Sequence, residues 1–225
     1  MVTTGLSTGR RTARVLGFWW FALSGAAVAA FAVAPYLTAS LQRLAEDDAG
    51  LAAGYAGRPA WVHVVFYTHI VGGGIALAVS PLQFAARVRA RLPQVHRAVG
   101  RVAVTAMLFG GAAGLVLAPM NQAGPVGTAG FGALAVLWSW FAAAALRAAR
   151  RRDFAAHRRW AVRAFAMTYA GVMLRLWLVV LMVAAIGWFG VAPEEAFPVA
   201  YAYVPFLCWV PNLLVAEFML RRRAS

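Results

Sequence analysis

Six long apolar runs, with clusters of arginine at every second connection, leave this chain little choice of architecture. The runs cover about 15–36, 61–85, 99–119, 129–149, 161–187 and 198–220. Each is long enough to cross roughly 30 Å of hydrocarbon at about 1.5 Å per residue. Of the 21 basic residues, 18 fall in four groups. Arg10, Arg11 and Arg14 precede the first run. Arg87, Arg89, Arg91, Arg97 and Arg101 lie between the second and third. Arg147, Arg150, Arg151, Arg152, Arg158, Arg159 and Arg163 lie between the fourth and fifth, and Arg221, Arg222 and Arg223 end the chain. The opposite connections hold only Arg43 and Arg58, with Glu46, Asp47, Asp48, Glu194 and Glu195. Positive charge marks the cytoplasmic side of a membrane protein. The expected fold is therefore all-α: a polytopic bundle of six transmembrane helices with both termini cytoplasmic, forming one membrane domain over 1–225.

Hydrophobic residues make up 63% of the chain and charged residues 12%. A soluble domain carries about 25% charged residues. The net charge of +14 would suggest nucleic acid in a soluble protein, but here it is spent on topology. Every basic residue is Arg, a sign of codon bias to which no function attaches. The single cysteine, Cys208, excludes an intramolecular disulfide and a thiolate metal site. The few acids argue against metal-assisted phosphoryl chemistry. No P-loop, dinucleotide fingerprint, zinc-protease motif or nucleophile elbow is present, so nothing here decides whether the chain is an enzyme. The first run follows three arginines as in a signal peptide. It exceeds an ordinary h-region and reads as an uncleaved signal-anchor.

Local features refine this outline. Trp19, Trp20, Tyr36, Trp61, Trp188, Phe189 and Tyr201 fall near span ends, as interfacial aromatics do. Leu37, Leu41 and Leu44 recur at helical spacing, predicting a short amphipathic helix on the outer surface, ended by Gly50, Gly54, Gly57 and Pro59. Gly72, Gly73 and Gly74, and Gly110, Gly111 and Gly114, suit close helix packing or room for a flat cofactor. Pro205 and Pro211 kink the sixth span. A short internal repeat sets His96-Arg97 and His157-Arg158 at the same place before spans three and five.

Two groups of residues have chemistry to offer. His96 and His157 approach one level of the bundle if spans three and five are neighbours. They would then supply the two axial ligands of a heme b iron. Arg97, Arg101, Arg158 and Arg163 would pair with its propionates. The plainer alternative is a pair of histidines anchoring their helices among headgroups. Gln83 and Glu217 belong to the same level and would complete a polar vestibule. The second group is His69 and Arg175. By helical rise His69 lies about 12 Å, and Arg175 about 18 Å, from the outer face. No carboxylate falls at that depth. An arginine there costs at least about 2.5–3.5 kcal/mol and marks a functional site by default. The alternative is an arginine that ties helix carbonyls together.

The run His69-Ile-Val-Gly-Gly-Gly, then Pro81-Leu-Gln-Phe84, His96-Arg-Ala-Val-Gly-Arg101, His157-Arg-Arg-Trp160 and Leu174-Arg-Leu176, resembles a bacterial family of predicted membrane proteins catalogued as a domain of unknown function. The resemblance covers roughly Trp61 to Leu181. Its motif positions correspond to His69, Gln83, His96, Arg97, Gly100, Arg101, His157, Arg158, Trp160 and Arg175. It implies a multi-pass protein of the bacterial cytoplasmic (inner) membrane and brings no established activity. Its layout is also similar to six-helix b-type cytochromes, whose four paired ligands this chain lacks. The leading expectation is a ligand-binding or redox membrane protein holding heme or a quinone-like molecule. A small-molecule transporter holding an anionic group on Arg175 is one alternative, and a structural or assembly factor is another.

Overall fold

The computed structural model describes residues 4–46 and 52–222, helical in all its regular elements, with no strand among them. Asp47, Asp48, Gly50 and Arg223 lie outside the described residues, as do the side chains of Arg10, Arg11 and Arg14. Eleven helices follow in order among the described residues: α1 (Thr4–Thr38), α2 (Leu41–Glu46), α3 (Ala53–Ala56), α4 (Ala60–Phe84), α5 (Ala86–Arg91), α6 (Pro93–Leu117), α7 (Gly124–Arg150), α8 (Phe154–Thr168), α9 (Ala170–Phe189), α10 (Pro193–Leu207) and α11 (Val210–Arg221). Eight of them make up six spans long and apolar enough to cross a membrane, the fifth and sixth each built from two helices.

Both interruptions have local causes. At the α8–α9 junction the Thr168 hydroxyl donates back to the Ala164 carbonyl (2.9 Å) and accepts the Trp138 indole N–H (2.9 Å). Such back-bonding bends helices. The span expected over about 161–187 is present, built from α8 and α9. In the sixth span Pro205 and Pro211 flank the break at Cys208 and Trp209. The Trp209 amide turns to the Phe206 carbonyl, and the Pro205 carbonyl instead accepts the Trp209 indole N–H at 2.9 Å. Asn212 donates to the carbonyls of Cys208 (3.0 Å) and Ala166 (3.2 Å). Side chains thus satisfy backbone groups that hydrocarbon would leave orphaned.

The helices form a ring. α1 packs on α4, α4 on α6, α6 on α7, α7 on α8 and α10, and α10 on α9, while α9 closes lightly against α1. The α4–α6 seam is the most extensive. A Cβ on Gly72 would lie 2.9 Å from the Ala106 carbonyl oxygen and 3.1 Å from the Gly110 Cα, so the two backbones touch. At the arginine-rich end Arg163 binds Glu217 through both guanidinium branches and stacks over Trp160 at 4.7 Å, tying α8 to α11.

The first long connection departs from expectation. Leu41 (3% exposed) and Leu44 (7%) are buried with Ala52, Val62, Phe66 and Leu117, whereas Leu37 belongs to α1 and is 69% exposed. α2 therefore covers the end of the bundle, where two leucines one turn apart find protein partners. Trp19, Trp20, Trp61, Trp188 and Phe189 are exposed, as belt aromatics should be. Tyr201 is not. It is 5% exposed and faces inward.

Candidate functional site

The ring encloses a cavity of about 220 Å³. Every span contributes to it, and its walls are mainly apolar. His69 from α4 and Arg175 from α9 both line it, within electrostatic reach of each other. Three tyrosines, Tyr36, Tyr55 and Tyr201, line it as well. Tyr36 and Tyr55 each pack edge or tilt against Phe66, and Tyr36 lies within electrostatic reach of Arg175.

Glycines decide how His69 sits. Its Nδ1 donates to the Gly110 carbonyl at 2.8 Å, across the α4–α6 seam. A Cβ on Gly114 would lie 2.9 Å from Nδ1, so the ring occupies space that only glycine leaves. Because the carbonyl can only accept, Nδ1 carries the proton, and Nε2 is left as an acceptor in the neutral ring. Arg175 donates one N–H to the Gly171 carbonyl of its own helix at 2.7 Å. Among the described residues no carboxylate pairs with it; the ion pair found there is Arg163–Glu217. The other guanidinium donors remain available to something in the cavity. Outside the spans, burial pushes the Tyr55 phenol above its ordinary value, which keeps its hydroxyl protonated.

The other histidines are placed differently. His63 bonds through Nε2 to the Tyr55 carbonyl at 2.9 Å and so holds α3 on α4. His96 and His157 do come within electrostatic reach of each other, but neither lines the cavity. His157 donates from Nδ1 to the Ala145 carbonyl at 2.8 Å. The Gln83 amide, with its NH2 toward α6, donates to His96 Nδ1 (3.1 Å) and to the His96 carbonyl (3.2 Å), and accepts from the Gly100 N–H (3.2 Å). A Cβ on Gly100 would stand 3.0 Å from that amide, so Gly100 makes room for it. Gln83 is thus a clasp between α4 and α6. In this arrangement His96 Nδ1 accepts from the Gln83 amide. Arg97, Arg101 and Arg158 are exposed, and Arg163 is taken by Glu217. With neither imidazole lining the cavity and Arg163 already paired, nothing in this arrangement supports a bis-histidine heme. Among the described residues, no group of three or more His, Cys, Asp or Glu is placed to hold a metal ion.

Sequence reasoning missed Tyr36, Tyr55 and Tyr201 as cavity residues. Tyrosines at span ends carry the same signature whether they face headgroups or a pocket. Neither a curated protein nor a solved structure matches the chain. A family described as predicted membrane protein (DUF2306) matches residues 66–220. That range takes in α4 from Phe66 onward and the four spans that follow it, with His69, Gln83, His96, His157 and Arg175. With a match over well more than half its length, and six apolar helices in keeping with that description, the chain belongs to the predicted membrane protein family DUF2306.

Proposed function

We propose that this membrane protein binds a small carboxylic acid in the cavity between His69 and Arg175. One observation carries the reading: a guanidinium with no acidic partner among the described residues lines the same apolar-walled cavity as a histidine whose free nitrogen accepts. A carboxyl group matches both. Its carbonyl oxygen accepts from Arg175, and its acid proton meets His69 Nε2. Transfer of that proton breaks the acid O–H bond and forms an N–H bond on the imidazole, leaving a carboxylate between two cations. A quinone ring would offer acceptors but no charge, and the guanidinium would stay uncompensated at the cost given for an intramembrane cation.

Benzoate tests the reading directly. It should bind the detergent-purified protein saturably, and benzamide, its neutral isostere, should bind at least roughly tenfold more weakly, since a hydrogen bond to a charged group contributes about 1.5–3 kcal/mol. Equal binding of the two, or none of either, would overturn it.

We also propose that the arginine-rich end, with both termini, faces the cytoplasm, and that the membrane is the bacterial inner membrane. The distribution of arginine supports this orientation. Reporter fusions after Arg152 and at the C-terminus should report cytoplasm, and fusions beside Glu194 the outside. An outside signal from the connection at 150–154 would invert it.

A further inference from the structure

The cavity has a direction as well as a volume. His69, Gly73 and Leu77 are spaced four apart on α4, so they stack along one face over roughly 12 Å. All three line the cavity. Beyond His69 stand the tyrosines gathered on Phe66. At the other end Leu77 packs with Tyr169, Val172 and Val28. A Cβ on Gly171 would lie 3.2 Å from the Leu77 methyl, and Arg175 is one helical turn from Gly171 toward the tyrosine end. Polar groups therefore hold one end of the space and hydrocarbon walls the other. Between them, a Cβ added to Gly73 would meet nothing within 4 Å. Its neighbours are filled: Gly72 touches the α6 backbone, and a Cβ on Gly74 would lie 2.7 Å from Val33. Of the three consecutive glycines, only Gly73 opens onto empty space.

From this we infer that the site selects a medium-chain monocarboxylic acid, its carboxyl between His69 and Arg175 and its chain running past Gly73 to Leu77, with Gly73 setting the permitted length. The inference rests on the carboxyl reading above and adds the chain to it. A compact acid fills only the polar end. An unbranched chain buries itself along the apolar stretch, and a bulky or branched body meets the walls formed by α1 and α6 on either side of α4.

The experiment is a chain-length series from hexanoate to palmitate, titrated calorimetrically into protein in phosphatidylcholine nanodiscs, with empty discs as the blank. In the wild type each added methylene should raise affinity roughly fourfold until the cavity is full, after which affinity should level off. Gly73→Leu should bring the levelling-off several carbons earlier. Leu77→Ala, which empties the far end, should move it to longer chains. Partition into the bilayer is common to all three proteins and cancels in the comparison. If the three proteins level off at the same length, the chain does not run past Gly73 and this inference falls, while the carboxyl reading stands as long as hexanoate binding still requires Arg175. If no member of the series binds saturably, both fall together.

Discussion

Arg175→Leu protein is expected to insert and fold, to melt at or above the wild-type temperature, and yet to lose benzoate binding. The reason is the asymmetry between what Arg175 contributes to the fold and what it costs. Its hydrogen bond within the described residues goes to the Gly171 carbonyl. That oxygen is one turn back on the same helix and already belongs to the helical ladder. Among the described residues, removing the guanidinium breaks no hydrogen bond between helices, and it relieves a charge whose insertion costs at least about 2.5–3.5 kcal/mol. Binding depends on that same charge. His69→Leu should produce the same loss. The double variant should bind no worse than either single one, because the two groups grip one carboxyl and act as a unit. Arg151→Leu is the control. Arg151 is exposed at the arginine-rich end and should alter neither melting nor binding. An Arg175→Leu protein that aggregates on extraction would show that the arginine holds the bundle together. One that binds benzoate normally would remove it from the site.

Gly72→Leu should have the opposite profile: a severe loss of folded protein. The added Cβ would stand 2.9 Å from the Ala106 carbonyl oxygen and 3.1 Å from the Gly110 Cα. These are backbone atoms of α6, and no side-chain rotation moves them away. α4 and α6 would have to separate, and with them the Gly110 carbonyl that orients His69. Overpacking of this kind costs about 1–3 kcal/mol where side chains can yield, and more where they cannot. Size-exclusion profiles and melting curves in detergent measure the effect. Gly73→Leu, one residue along, is the matched comparison and should fold. Equal yields of the two would mean that α4 and α6 are not in backbone contact at Gly72.

The number of spans, their approximate limits and the class of fold were legible in the sequence because they depend on sums along the chain. Crossing hydrocarbon requires about 20 apolar residues whatever their neighbours are. The oddity of Arg175 was legible for the same reason, since depth follows from position within a run. The pairing of His69 with Arg175 on one cavity needed the tertiary structure, because it depends on how α4 and α9 are rotated and on which helices stand between them. The same holds for the tyrosines. Tyr201 has the sequence signature of a belt residue and is buried against the cavity instead. Gly72, Gly73 and Gly74 are identical in sequence terms, yet they face the α6 backbone, empty space and α1, because successive residues on a helix point about 100° apart. His96 and His157 look equivalent in the internal repeat. Gln83, reaching across from another helix, gives His96 a hydrogen bond that His157 does not share. Hydropathy and charge act on a chain one residue at a time; a binding site is made by residues from every span meeting at one depth, and only packing decides which of them face each other.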